Sequence, residues 1–223
     1  MDVWWLKLSN PTPNVILSNQ EMERASRFHF NIDRERFIGF RKLTKFILSK
    51  YLNVDANELN FHYEQNGKPY IARSDLQFNW SHSGNDLLRA CSYYPLGADI
   101  EFVNHPREDI ADVAFHKDEK YFLSKAKKPI LASYVLWTRK EALLKADGQG
   151  LLVDLPSVST VGSNGELLNT VSLSEKNWII TSLYINNYVV SIATARRLDM
   201  RFNLSECIDK CCFDSPRAAP SPY

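Results

Sequence analysis

Residues 97–103 read GADIEFV, and how that run is placed decides the fold. Ala98, Ile100 and Phe102 alternate with Gly97, Asp99 and Glu101, the period of a β-strand with two unlike faces. Asp99 and Glu101 therefore project to one side. Two like charges side by side on a mostly apolar strand repel and lose hydration, so they call for a positive partner unless they face solvent. A hard divalent cation takes such oxygen ligands and keeps positions for phosphate oxygens and water.

Upstream, VWWLKL near the amino terminus reads as a strand, and residues 19–30 as a short helix capped by Ser18 or Asn19. A longer helix is predicted over 33–52, where Phe37, Phe40, Leu43, Ile47 and Tyr51 fall on one face. LNFHYEQNGKPYI follows as a hairpin about Asn66-Gly67, and QFNWSHS and LLRACSYY as strands around the turn signal Gly84-Asn85. Downstream, residues 117–126 and 130–147 have helical patterns. SVSTVG, WIITSLYI and YVVSIATA read as strands, the last two joined at Asn186-Asn187. Both halves run helices and then an antiparallel meander. The predicted fold is therefore α+β: two similar, pseudo-duplicated subdomains over 1–103 and 104–198, each a small antiparallel sheet with a long helix packed on it. Residues 199–223 are predicted to be a poorly ordered tail.

The chain has 223 residues, 44% apolar and 24% charged, the balance of a soluble globular protein with a sizeable core. A net charge of +1 argues against a general nucleic-acid binder, which must neutralise many phosphates. The amino-terminal MDVWWLKLSN lacks the pattern of a signal peptide, and no apolar run approaches the length of a spanning helix, so a cytoplasmic protein without a membrane partner is expected. Cys91 stands alone in a strand, and Cys207, Cys211 and Cys212 cluster without a nearby histidine, which predicts free thiols rather than zinc.

The helix at 137–151, WTRKEALLKADGQGL, adds a third carboxylate, Glu141, with Lys145 one turn on at the favourable i,i+4 spacing. Lys140 lies about 100° from Glu141 around the helix, so the two would line adjacent parts of one wall. A solvated helix face with a weak surface ion pair is the plainer reading of the same residues. In NWSHSG, Ser81 and His82 are neighbours on a strand and point to opposite faces. That suits phosphate or hydroxyl contact better than a hydrolytic Ser-His pair. NGKP lacks the spacing of a phosphate-binding P-loop.

Together these blocks resemble the 4′-phosphopantetheinyl transferases of the surfactin-synthetase-activating (Sfp-like) type. That family's G-x-D-I-E followed by W-[ST]-x-K-E-[AS]-x-x-K is matched by Gly97–Glu101 and Trp137–Lys145 without a mismatch. Its G-K-P, S-H-S and G-x-G-L blocks are matched by Gly67–Pro69, Ser81–Ser83 and Gly148–Leu151. The resemblance covers roughly 1–197; Trp80 stands where an aliphatic residue is usual.

The resemblance implies a monomer that transfers 4′-phosphopantetheine from coenzyme A to a serine of an apo acyl or peptidyl carrier protein and releases 3′,5′-ADP. Such a holo-[acyl-carrier-protein] synthase serves fatty-acid, polyketide or nonribosomal-peptide biosynthesis. Asp99, Glu101 and Glu141 would hold Mg²⁺, with Mn²⁺ as a substitute. Arg36, Lys68, Ser81, His82, Lys140 and Lys145 would contact coenzyme A, with Arg36 and His82 at the 3′-phosphate and Lys68 at the adenine end. Glu141, or a metal-bound water steered by Glu119, would be the base, and Lys145 would assist. The basic and aromatic run AFHKDEKYFLSKAKK is a candidate carrier-docking surface. The alternative from a different class is a metal-dependent nuclease or phosphodiesterase, which also uses paired carboxylates with a lysine.

Overall fold

The computed structural model describes residues 1–8, 12–106, 113–148 and 153–205. The elements are β1 (Asp2–Lys7), α1 (Asn19–Ser26), α2 (Asn31–Leu52), β2 (His62–Tyr63), β3 (Pro69–Tyr70), β4 (Gln77–Ser83), β5 (Asp86–Ser92) and β6 (Leu96–Phe102). Then come α3 (Lys117–Lys125), α4 (Pro129–Asp147), β7 (Thr170–Leu173), β8 (Lys176–Ile185), β9 (Tyr188–Thr194) and β10 (Arg201–Ser205).

Local chemistry sets the boundaries. Ser18 and Glu21 close a capping box on α1, and His116 and Glu119 do the same for α3. Pro129 opens α4, and Gly148 ends it at φ +85°, a left-handed position open to glycine. Asn186 and Asn187 take positive φ between β8 and β9, as a tight hairpin requires.

Two four-stranded sheets form, in the orders β10-β1-β5-β4 and β6-β9-β8-β7, with a short β2-β3 hairpin apart. All neighbours are antiparallel except β1 and β10, which run parallel. In both sheets the strand that precedes the long helix pairs with the last strand of its meander: β1 with β5, β6 with β9. Strand alternation divides the core. Val3 and Trp5 face inward and meet Ala98, Ile100, Val190 and Ile192 of the other sheet. Trp4 and Leu6 face outward and pack under Phe40, Leu43 and Ile47 of α2. On the far side, Ala142, Leu143 and Ala146 of α4 cover Val171, Trp178, Ile180 and Ala193. The order of layers is helix, sheet, sheet, helix.

Three expectations are corrected. The strand at 96–102, read with the first half, belongs to the second sheet, because it pairs along its whole length with β9. The tail is not wholly irregular: Arg201–Ser205 pair with β1, Arg201 Nε donates to Asp2 Oδ1 at 2.9 Å, and the terminal ammonium of Met1 donates to the Asp199 carbonyl. SVSTVG contributes only an isolated bridge, Val161 to Leu167, and the sheet's edge strand is 170–173 instead. Cys207, Cys211, Cys212 and the Gln149–Leu151 part of the G-x-G-L block lie outside the described residues.

Gly97 governs how the second unit closes. A Cβ there would lie 2.1 Å from the Ala142 carbonyl oxygen and 2.3 Å from the Ala146 nitrogen, both backbone atoms that cannot swing aside. Helix α4 therefore lies directly on the β6 backbone. Gly97→Ala is expected to destabilise the protein by about 3 kcal/mol or more, the upper range for an overpacked core. Urea denaturation checks this; a wild-type midpoint would show that α4 can move off β6 at little cost.

Candidate active site

The site forms where β4, at the edge of the first sheet, meets β6, at the edge of the second. Alternate residues of NWSHS join them. Asn79 Oδ1 accepts the Ala98 amide at 2.9 Å, Ser81 Oγ donates to Asp99 Oδ1 at 2.6 Å, and Ser83 Oγ accepts the Phe102 amide at 3.0 Å. Ser83 Oγ also donates to Glu101 Oε2 at 3.4 Å. Side chains thus satisfy a sheet edge that no backbone ladder covers among the described residues.

Close packing over Gly97 sets α4 above this seam. Lys145 Nζ lies 2.6 Å from Asp99 Oδ1, 3.3 Å from Ser81 Oγ and 3.9 Å from Glu141 Oε2. Asp99 is only 3% exposed, so the ammonium offsets a charge that has left water. Its second oxygen, Oδ2, is buried without a hydrogen-bond partner. Glu141 and Lys145 keep partial exposure, with side chains 20% and 28% accessible.

A cavity of about 260 Å³ opens beside Lys145, lined also by Arg24, Tyr63, Lys68, Asn79 and Trp80. It adjoins a larger hollow of about 990 Å³ that shares Arg24 and Tyr63 with it. Arg24 stacks its guanidinium 5.7 Å from the Tyr63 ring centre. Lys68 Nζ donates to the Ala146 carbonyl at 3.1 Å, so the hairpin loop rests on the end of α4. Burial holds the Lys68 ammonium below its ordinary pKa, against the opposing pull of Glu64 and Asp147.

His82 is exposed on the other face of β4, 5.2 Å from the Phe40 ring. Its imidazole is held below the usual histidine range, first by desolvation and then by the positive charges of Lys145 and Arg36. Arg36 lines a separate hollow of about 430 Å³ with Asn85 and is held by Asn85 Oδ1 at 3.0 Å and Asp33 Oδ1 at 3.3 Å.

Ser81, Asp99, Glu141 and Lys145 are thus brought together, with Lys68 on the same cavity and His82 near Lys145 and Arg36. Three of the expected site features are placed differently. Lys140 and Glu119 are 1% and 0% exposed and form an ion pair at 2.8 Å. Lys140 Nζ also donates to the carbonyls of Leu155 and Val158, while Glu119 accepts from the His116 amide and from the amide and hydroxyl of Thr160. Burial lowers the Lys140 pKa against the pull of Glu119. The reason is helical geometry, since residues five apart lie about 140° apart around an α-helix. With Lys145 over the cavity, Lys140 must turn inward.

Third, Asp99, Glu101 and Glu141 do not stand as a ready three-ligand cluster. Among the described residues no such group of His, Cys, Asp or Glu is formed, because Lys145 stands between Asp99 and Glu141 and Glu101 leans to Ser83. The donor chemistry still fits a hard divalent cation: Asp99 has an oxygen without a hydrogen-bond partner, and a second carboxylate faces it across one ammonium. Sequence reading missed the roles of Asn79 and Ser83. The signal was present as three polar residues at every second position of β4.

Residues 95–193 match the 4′-phosphopantetheinyl transferase superfamily, and residues 12–92 match the N-terminal family of 4′-phosphopantetheinyl transferases. The two matched stretches meet just before β6, the first strand of the second sheet. The chain is 36% identical over 166 residues to the 4′-phosphopantetheinyl transferase HetI of Nostoc sp., an alignment covering 67% of this chain and 69% of that protein. It is 33% identical to the 4′-phosphopantetheinyl transferase gsp of Aneurinibacillus migulanus, over 65% of this chain and 62% of that one. It is 32% identical to the 4′-phosphopantetheinyl transferase Sfp of Bacillus subtilis, over 64% and 65%. The chain belongs to the 4′-phosphopantetheinyl transferase superfamily. Nothing in these relationships supports the nuclease or phosphodiesterase alternative. No helix among the described residues is long and apolar enough to cross a membrane.

The sealed pair generates a stability prediction. Lys140→Met leaves Glu119 charged and buried, so it should lose about 3–5 kcal/mol in chemical denaturation. A Lys140→Met protein of wild-type stability that no longer binds coenzyme A would instead return Lys140 to the binding surface.

Proposed function

We propose that this protein transfers the 4′-phosphopantetheine group of coenzyme A to a serine hydroxyl of an apo acyl or peptidyl carrier protein, with a divalent cation, Mg²⁺ or Mn²⁺, held by Asp99, Glu141 and Glu101. The observation that carries this reading is the cluster of Lys145, Asp99 and Glu141 beside a basic cavity at the junction of the two sheets, in a chain of this superfamily. The shared connectivity of the two sheets further suggests a duplicated unit.

The serine oxygen attacks the β-phosphorus of coenzyme A. The bond from that phosphorus to the bridging oxygen breaks, and 3′,5′-ADP leaves with the electron pair. A bound Mg²⁺ would neutralise the pyrophosphate oxygens and stabilise charge on the leaving group. Lys145 supplies an ammonium to the same phosphate oxygens from the cavity wall. Glu141 is the reachable carboxylate to take the serine proton, directly or through a water, whereas Glu119 is sealed from substrate. Lys68 and Arg24 line the nucleotide side of the cavity. His82 and Arg36 hold the 3′-phosphate from the outer face of β4 and the start of α2. The carrier meets the exposed side of α3, where Tyr121 is 58% exposed beside Lys125.

Intact-mass analysis of apo carriers after incubation with coenzyme A and Mg²⁺ tests the reading, the expected product being a carrier heavier by one phosphopantetheine group. Asp99→Ala and Glu141→Gln should each slow transfer by at least about a hundredfold, the scale of losing one preorganised electrostatic group. Transfer at wild-type rate by Asp99→Ala would overturn the assignment.

The depressed His82 pKa generates a pH prediction. A phosphate dianion beside the ring favours its protonated form, so binding takes up a proton. The preference for coenzyme A over dephospho-coenzyme A should rise as pH falls from about 8 to about 6. Calorimetry of both ligands checks this: His82→Ala should flatten the dependence, and Arg36→Ala should weaken coenzyme A more than its dephospho form. Equal losses for both ligands would remove Arg36 from the 3′-phosphate.

A further inference from the structure

Lys145 stands where a cation is needed and holds two roles that it cannot fill at once. Its ammonium contacts Asp99 Oδ1, Ser81 Oγ and the side of Glu141. The same side chain lines the cavity beside Arg24 and Lys68. An ammonium 2.6 Å from a buried carboxylate is committed to it and is not presented to a ligand in that cavity.

We propose that Lys145 is a tethered cation that closes the Asp99–Glu141 pair in the metal-free protein, is displaced by the arriving divalent cation, and is thereby delivered to the phosphates. This rests on the metal-dependent transfer proposed above and adds an order to it. Three observations support it. Asp99 is 3% exposed, so in the absence of metal it needs a counter-charge, and among the described residues Lys145 is the cation in contact with it. Ser81 and Lys145 both converge on Oδ1, leaving Oδ2 buried without a hydrogen-bond partner, a position that a metal ion could take and a second hydrogen bond does not. The lysine stem is long and 28% exposed, whereas its Cα is fixed by α4 packed on Gly97. The ammonium can turn from carboxylate to cavity without moving the helix. Metal and phosphate would then bind with positive coupling: metal frees the ammonium that phosphate needs, and phosphate holds away the ammonium that competes with metal.

The test reads the lysine itself. Reductive methylation of the wild-type protein, followed by peptide mass spectrometry, compares Lys145 in chelator, in Mg²⁺ and in Mg²⁺ with coenzyme A. Lys145 should label slowly in chelator, at least about threefold faster in Mg²⁺ alone, and slowly again once coenzyme A is added, with Lys140 protected throughout. In parallel, Mn²⁺ binding followed by electron paramagnetic resonance without coenzyme A should be about tenfold tighter for Lys145→Gln than for wild type, the loss of a competitor worth one partly buried ion pair. Tighter Mn²⁺ binding with labelling that Mg²⁺ leaves unchanged would mean a lysine that repels the metal but stays in place, and would overturn the proposal while leaving the transfer reading intact. Failure of Mn²⁺ to bind either protein, with or without coenzyme A, would overturn the metal-dependent reading and this proposal with it.

Discussion

The arrangement depends on one absence, the missing side chain at Gly97. Helix α4 comes so close to β6 that a single Cβ would strike the Ala142 carbonyl and the Ala146 amide. Close-packed interiors do not absorb such an intrusion without displacement of a whole element. That contact fixes the height and rotation of α4 over the strand. It places Lys145 and Glu141, which share one side of the helix at i,i+4, directly over Asp99. The glycine two residues before the aspartate is thus a packing requirement with a chemical consequence.

The second constraint is the seam between the sheets. Sheet edges are normally covered or blunted. Here the β4 and β6 edges are joined through Asn79, Ser81 and Ser83, each reaching across to the next strand. The carboxylates of β6 therefore lie at a boundary between two packed units, where a cavity can open without exposing either core. Strand β10 reinforces the same arrangement from the opposite edge of the first sheet. After β9 the chain returns to pair with β1 of the first sheet, and the apolar Leu198, Met200 and Phe202 pack against the core shared by both sheets.

Helix α4 also shows how one sequence pattern supplies two kinds of lysine. Lys140 is driven into the interior, where Glu119 and two carbonyls satisfy it, and it ties α3 and the segment around Leu155 and Val158 to the core. Lys145 remains at the wall of a cavity, partly exposed and paired with Asp99. Their residue type and motif membership are alike, but rotation about the helix separates their roles.

By itself the sequence determined the mixed α and β composition, the two long helices, the hairpins at Asn66-Gly67 and Asn186-Asn187 and the same-face placement of Asp99 and Glu101. These follow from local periodicity and from turn residues whose conformational preferences hold in any context. It also carried the motif blocks that the family matches then bore out. Only the tertiary structure decided that the strand at 96–102 pairs with β9, since periodicity shows that a strand exists and not which partner it takes. The pairing of β10 with β1 was likewise out of reach, because two strands almost two hundred positions apart leave no local trace of one another. So were the burial of Lys140 with Glu119 and the placing of Lys145 between two carboxylates. A helical pattern gives the angle between two side chains, but which angle faces the core is settled only when the helix is laid against a neighbour, here through the space that Gly97 leaves open.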